Sequence, residues 1–561
     1  MELILLLAIA AFGATASGFG LARGGREGRV GAVLGGLSLL GVVAVSFALT
    51  APRVGAGEIP PGIGVLDGRL IPNNYMRLVI ALWALDGLLI VLIAWLASGL
   101  AGLRGLMPAV LASIAGGSVA LAATNLVLGA AAAGATGLVA LLVLLAFRDP
   151  GGIGTAAREL RVTMLTTVLL MSAVVLGPLA GGLAVRGATG GGSGLAAAPP
   201  VADGAPALVG LVVLAVALAV AIRIGVIPFH LRVPQLTDVA PPIALPLLLA
   251  WVPLPLAVVG LAAVDLLVAP LANLAVLSLN GEQLIIIAVV LVTLVGASLA
   301  AILQDDIRHT TGYLVIADGA FVLLGLAALT PDAWGPARIW LVTLAATKTA
   351  VATWAAVVNA RFGSHHLPDL RGWVRRSPLL GAALLVATVA SFGLPGWAAY
   401  DARITLAQLS GGPPLDALLV VLGFLTLPTY LRLLAVGIGR PTSRVDRAAP
   451  ERIVRGRRTE SLPVELEGAA PAEAEGRAVA SRDAHANAAR RAARRSHRMA
   501  SKGATSTGRR LMRAIRRDAT ELTAAAVLTL AILAALTSWG VLDIGGASSE
   551  PAPITTNAAS D

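Results

Sequence analysis

The sequence predicts an all-α polytopic membrane protein with about 14 transmembrane helices. Three observations predict it. Hydrophobic residues make up 57% of the 561-residue chain and charged residues only 13%, too little charge for a soluble protein of this length. The Leu/Val/Ala/Gly-rich runs extend for about 20 residues or more, enough for a helix to cross a bilayer core. They also lack the alternating in/out pattern of an outer-membrane barrel.

The first run, Glu2–Ala22, has no basic stretch before it and its arginines come after, so it reads as a span rather than a signal peptide. Val30–Thr50 follows the turn that holds Arg23, Arg26 and Arg29. Arg77–Leu100 carries one charged residue, Asp86, beyond the arginine that opens it. Leu106–Thr124, Asn125–Phe147 and Val162–Val185 are mostly apolar runs of spanning length without a charged residue. The seventh, Ala207–Phe229, ends differently: Arg223 is followed by Pro228-Phe229-His230, then Pro234, Asp238, Pro241 and Pro242. Prolines and a histidine at the end of an apolar run predict a helix broken inside the membrane, tolerated where protein or water re-satisfies the freed backbone groups. Pro242–Val264 and Leu284–Leu303 come next, then Thr310–Leu329 with Asp318 and Ile339–Ala360 with Lys348. In the twelfth, Leu379–Ala407, Gly393-Leu394-Pro395-Gly396 interrupts the helix before Asp401 and Arg403. Leu415–Val436 and Leu522–Leu542 complete the set.

Counting every span places Arg23, Arg26, Arg29, Arg104, Arg148, Arg158, Arg161, Arg232, Arg308, Arg361, Arg371, Arg375 and Arg376 on one side. The excess of positive charge makes that side cytoplasmic and both termini extracytoplasmic. The organisation expected is a membrane bundle over 1–437, an Arg-rich cytoplasmic linker over 438–521, a final span at 522–542 and a short extracytoplasmic tail, 543–561. Arg440–Asp518 holds twenty basic residues and almost no aromatics. It reads as a disordered linker followed by a basic surface helix that meets anionic lipid headgroups or an acidic partner, and not nucleic acid.

Only two lysines occur, against forty arginines, and one of them, Lys348, stands near the middle of an apolar span. An ammonium at that depth costs on the order of 2.5 kcal/mol or more, and such residues usually face a bundle interior and mark an ion path. A lysine that snorkels to the interface is the alternative. The other ionisable groups expected at depth are Asp86, His230, Asp238, Asp318 and Asp401, with Arg223 and Arg403 as cations that need counter-charge. Pairs among them either move protons or only hold the bundle together. With no cysteine, the chain can build no thiolate metal site and no iron–sulfur cluster, so no cofactor is expected in it.

Three stretches resemble the antiporter-like subunits shared by respiratory complex I, membrane-bound hydrogenases and multi-subunit cation/proton antiporters. Arg223-Ile-Gly-Val-Ile-Pro-Phe-His-Leu-Arg-Val-Pro234 is similar to the family's Lys-x4-Pro-Phe/Leu-His-x-Trp-x-Pro-Asp. Gln304 to Gly319 is similar to Asp-x-Lys-Arg-x-x-Ala-Tyr-Ser-Ser-Ile-x-His-x-Gly. Lys348 falls at the lysine of His-Ala-x-x-Lys, and Gly393 through Arg403 is similar to Gly-Ile-Pro-Pro with its following lysine. Order and spacing match over roughly 125–407, and Pro-Phe-His is most similar to the N-type subunit of NADH-quinone oxidoreductase.

The resemblance implies two inverted five-helix repeats with discontinuous seventh and twelfth helices. It also implies a place in the prokaryotic inner (plasma) membrane beside other membrane subunits of a complex-I-like or hydrogenase-like assembly, and a part in proton translocation. A non-conducting scaffold subunit and an independent cation/proton transporter are the rival readings. The departures are specific. The fifth-span glutamate position falls near Ala135 or Thr136, the eighth-span lysine near Pro253, the tenth-span histidine at Asp318, and the seventh- and twelfth-span lysines at Arg223 and Arg403. Arginine keeps its proton to a pKa above about 12, so those two positions become fixed charges. The counter-charges expected for them are Asp318, Asp86 or Asp401, and Lys348 is expected to pair with Asp318.

Overall fold

Small residues set how the first spans meet. In a computed structural model that describes residues 1–49, 65–66, 68–146, 150–189, 205–268, 280–411, 415–441 and 506–542, helices Glu2–Arg23 and Gly25–Ala48 form a tight antiparallel pair. A Cβ on Gly20 would lie 2.7 Å from the Gly31 Cα, and one on Gly31 would lie 2.9 Å from the Gly20 Cα, so the two backbones touch. Lipid gives apolar helices no hydrophobic reason to associate, and close backbone approach of this kind supplies the packing instead.

Among the described residues, thirteen helices are long and apolar enough to cross a membrane. The twelfth span adds two shorter helices, Pro378–Phe392 and Ala398–Gly411, on either side of the glycine-proline interruption. The seventh span is also in two pieces. Its first helix, Ala205–Ile224, ends where Gly225 takes φ 86°, and a turn at Phe229–Leu231 leads into a second helix, Arg232–Val239. Pro228 and Pro395 lie in these two gaps, because neither ring nitrogen can donate to a helix. The eighth span contains a π turn at Leu247–Trp251 just before Pro253 and Pro255, which have no N–H to give to the preceding turn.

The buried axis is the tenth and eleventh spans, Ile307–Ala327 and Trp334–Phe362. In the tenth, every residue except Arg308, His309 and Tyr313 is buried. A helix apolar on all faces belongs inside a bundle, and these two are walled in on every side. The peripheral spans keep one face outward, with Phe12 58% and Phe19 68% exposed, as a lipid-facing surface requires.

The last helix runs unbroken over Ser506–Trp539, beginning well before the Leu522 expected from the sequence. Its apolar part packs against the third, eleventh and twelfth spans. The basic stretch that precedes it, 442–505, and the tail 543–561 lie outside the described residues.

Candidate functional site: a buried charge row

Lys348 stands at the midpoint of the eleventh span and forms an ion pair with Asp318 of the tenth. Their side chains are only 1% and 3% exposed, so the pair is sealed from solvent within this chain. Lys348 Nζ also donates to Tyr430 Oη at 2.9 Å, and Tyr430 Oη lies 3.2 Å from Ser391 Oγ on the first helix of the twelfth span. The Asp318 backbone carbonyl accepts from Trp340 Nε1 at 3.0 Å, which ties the tenth span to the eleventh beside the pair.

Arg403 faces the same interior; among the described residues no aspartate forms an ion pair with it, and Asp318 reaches it only through its charge at longer range. Its Nη2 donates to the Ser391 carbonyl at 2.8 Å, and its guanidinium sits 4.5–5.7 Å from the ring centres of Trp340, Phe321, Phe424 and Phe392. Four aromatic faces thus supply part of what a counter-ion would, through the negative quadrupole of each ring. Nε and Nη1 of Arg403 make no hydrogen bond to protein. Asp401, expected as a buried counter-charge, is exposed. The helix restarts at Ala398, and positions two apart on a helix point to different faces, so Arg403 turns inward and Asp401 outward.

At the seventh span the expected counter-charges are again replaced. Arg223 is buried and donates to Thr163 Oγ1 at 2.8 Å, while the carboxylate nearby is Glu159 of the sixth span, Pro150–Thr189. Glu159 accepts from Arg232 at 2.7, 2.8 and 3.0 Å, and Arg232 also donates to the backbone carbonyls of Arg223 and Ile222. The Arg232 guanidinium therefore caps the C-terminal end of one half-helix and anchors the start of the other. Gly137 makes room for the cluster: a Cβ there would come within 2.6 Å of Arg223 Nη2. Thr136, near the family's glutamate position, is buried and bonds only its own helix, at the Ala132 carbonyl. His230 lies in the break with a buried Nδ1 that has no protein hydrogen bond. Asp86 is buried on the third span next to Trp251 of the π turn, and its Oδ2 makes no hydrogen bond. It pairs with neither arginine.

Asp238, expected among the buried groups, is exposed in this chain. It meets His309 Nε2 at 2.8 Å and Arg308 at 4.0 Å, where the second half of the seventh span reaches the start of the tenth. Asp306 caps that tenth helix through the Arg308 amide, takes the Arg308 guanidinium at 2.9 Å, and lies 3.5 Å from His365. Burial alone would raise the Asp306 carboxyl, but the Arg308 hydrogen bonds and charge outweigh it and hold it below the usual carboxylate range. Burial pushes His365 below its ordinary value; Asp306 opposes this, and Arg308, His366 and His309 add to it. Among the described residues, no group of three or more His, Asp or Glu side chains is arranged to hold a metal ion.

Residues 202–426 match the family described as "NADH:quinone oxidoreductase/Mrp antiporter, TM". Over that stretch, about two fifths of the chain, the sequence is similar to the antiporter-like family. A protein of Halorhodospira halophila named NADH-quinone oxidoreductase subunit N is 31% identical over 237 residues, 41% of this chain and 47% of its own length. The chain thus spans about half the length of the curated relatives it matches. Among solved structures, respiratory complex I from Thermus thermophilus aligns at TM-score 0.54 and 20% identity, covering 81% of this chain and 96% of the matched one. An archaeal membrane-bound sulfane sulfur reductase aligns at TM-score 0.62 and 16% identity over 81% of this chain and 90% of the other. At such identities the likeness is one of fold.

Two residues of the buried row, Glu159 and Tyr430, were missed in the sequence. Glu159 lies between Arg158 and Arg161 and reads as part of a charged turn before the sixth span; the start signal Asp149-Pro150, with proline at the first helical position, places it inside the helix. Tyr430 belongs to none of the family motifs, and its one signal is rarity: the chain has four tyrosines.

Proposed function

We propose that this chain is a membrane subunit of a complex-I-like assembly, occupying an N-type antiporter-like position and taking part in proton translocation. The observation that carries this reading is the Lys348–Asp318 pair: a sealed ammonium–carboxylate contact at the centre of the bundle, in a chain that otherwise uses arginine for nearly every cation. A buried lysine exchanges its proton as neighbouring charge changes, which arginine does not do. The redox centres then belong to other subunits, and the two broken spans support two inverted five-helix repeats. Other membrane subunits are the partners, with anionic lipid or an acidic protein surface at the Arg-rich stretch. The distribution of arginines supports a prokaryotic plasma membrane with both termini extracytoplasmic.

One observation favours the scaffold reading for the N-terminal half. Arg223 and Arg232 are guanidinium groups closed around Glu159, so an ion-paired cluster pins the seventh-span break where the resemblance implies a lysine.

Lys348→Ala in the assembled complex tests the proposal. Proton pumping by inverted membrane vesicles is expected to fall sharply while subunit composition and electron transfer to an artificial acceptor persist. Unchanged pumping with normal assembly would reject the conducting role and leave the scaffold.

A further inference from the structure

We infer that Tyr430 and Ser391 form a hydroxyl relay that carries protons between Lys348 and the break in the twelfth span, running beside Arg403 rather than through it. The inference rests on the proton-exchanging role proposed for Lys348. The twelfth-span cation at Arg403 cannot hand a proton on, so a path that leaves Lys348 in this direction needs other groups. The hydroxyls lie in sequence: Lys348 Nζ to Tyr430 Oη at 2.9 Å, then Tyr430 Oη to Ser391 Oγ at 3.2 Å. Both side chains are buried, Tyr430 at 0% and Ser391 at 1% exposure. Ser391 is two residues before Gly393, and Leu394, Pro395 and Gly396 beyond it are exposed, so the row runs from the sealed ion pair toward the exposed gap between the two half-helices and ends three residues short of it.

The charged groups around the relay are Lys348 and Asp318 on one side and Arg403 on the other. Arg403 holds the Ser391 carbonyl at 2.8 Å, which fixes the last turn of the half-helix and with it the Ser391 hydroxyl. Its permanent charge repels an excess proton from Ser391, so the proton crosses the relay without resting on it. Phe392 packs edge-on against the Tyr430 ring, 5.7 Å between centres, and limits the ring to a narrow range of positions. Trp397, in the gap, stacks on Trp539 at the end of the fourteenth helix, which places the mouth of the break against that helix end.

The transfer balances as a sequence of hops. A Lys348 N–H bond breaks as an O–H bond forms on Tyr430. The original phenolic proton passes to Ser391, and the Ser391 proton passes to a water at the break. One proton leaves, Lys348 becomes a neutral amine, and both hydroxyls end neutral with their hydrogens reoriented. A proton arriving on the Asp318 side restores the ammonium. The phenolic proton moves toward Ser391 as the ammonium proton arrives, so Tyr430 is never doubly protonated; free phenols and alkylammonium ions release protons at similar pH, about 10, so the tyrosine that has passed on its own proton takes one from Lys348 at little cost.

The test uses the assembled complex in vesicles, with Lys348→Ala as reference. Tyr430→Phe keeps the ring packing and removes the hydroxyl; pumping is expected to fall about tenfold or more, with assembly intact. Ser391→Ala, which keeps the backbone carbonyl that Arg403 needs, is expected to lower pumping as well. Replacing Tyr430 by 3-fluorotyrosine, with its more acidic phenol, is expected to move the pH profile of pumping toward acid, which a merely structural ring would not do. Wild-type pumping in Tyr430→Phe alongside loss in Lys348→Ala would overturn the relay and leave the proposed function standing. If Tyr430→Phe fails to assemble, the fluorotyrosine decides: an unmoved pH profile overturns the relay. Normal pumping in Lys348→Ala would instead remove the reading on which the relay rests.

Discussion

Glu159→Gln removes the one carboxylate in a pocket that holds two guanidinium groups, and its cost can be worked from the contacts. Glu159 accepts three N–H bonds from Arg232 at 2.7 to 3.0 Å, and the two side chains are 6% and 8% exposed. Charge-assisted hydrogen bonds of this kind are each worth about 1.5–3 kcal/mol against their loss. Breaking a buried pair by removing one partner costs about 3–5 kcal/mol, because a charge is left without compensation. Here Arg223 is a second cation in the same pocket, with only Thr163 as a side-chain partner, so the upper end of that range applies. A glutamine recovers part of one bond but none of the charge. Reversible unfolding in mixed SDS micelles, followed by tryptophan fluorescence, is the assay. Glu159→Gln is expected to destabilise by about 4 kcal/mol, whereas Glu159→Gln with Arg232→Gln is expected to recover about 2 kcal/mol of it. A single-variant loss below about 0.5 kcal/mol, or a double variant no better than the single, would refute the idea that the seventh-span break is pinned by this pair.

Two further outcomes follow from other parts of the fold. Acid should loosen the junction between the tenth span and the loop at 364–370. Asp306 and His365 both have folded values below their unfolded ones, so both bind more protons when released, and stability is lost as pH falls, below about 6.5 for His365 and lower for Asp306. Amide exchange at Ile307, which donates to the His365 carbonyl at 2.9 Å, reports it; His365→Gln should flatten the upper part of the pH dependence, and an unaltered slope would contradict the assignment. Gly31→Leu puts a side chain where the Gly20 backbone already lies, so it should separate the first two spans and cost about 1–3 kcal/mol in the same micelle assay, while Gly36→Leu, open to the surface, should cost little.

The spans were legible because membrane crossing demands length and apolarity, which any reader of the chain can count. The breaks were legible too, since proline and glycine act through the backbone alone. What could not be read was which charged groups would meet. Helix rotation settles that, and a two-residue offset separates Asp401 from Arg403. Aromatic faces around Arg403 supply part of what was assigned to an aspartate alone, a contribution that residue-by-residue charge matching does not see. Glu159 took the place expected of Asp86 because a sixth helix begun at Pro150 carries it inside the bundle.

The fourteenth helix gives the chain an order of completion. It packs on the third, eleventh and twelfth spans, and its final tryptophan covers Trp397 in the break, yet more than sixty residues of sequence separate it from the thirteenth span. During synthesis the chain emerges at roughly 5–20 residues per second, so the helices around Lys348 enter the membrane several seconds before the wall that closes them. In that interval the half holding Lys348 has an unsealed side, open to lipid or to an insertion factor, and only the arrival of the Ser506–Trp539 helix turns it into an interior.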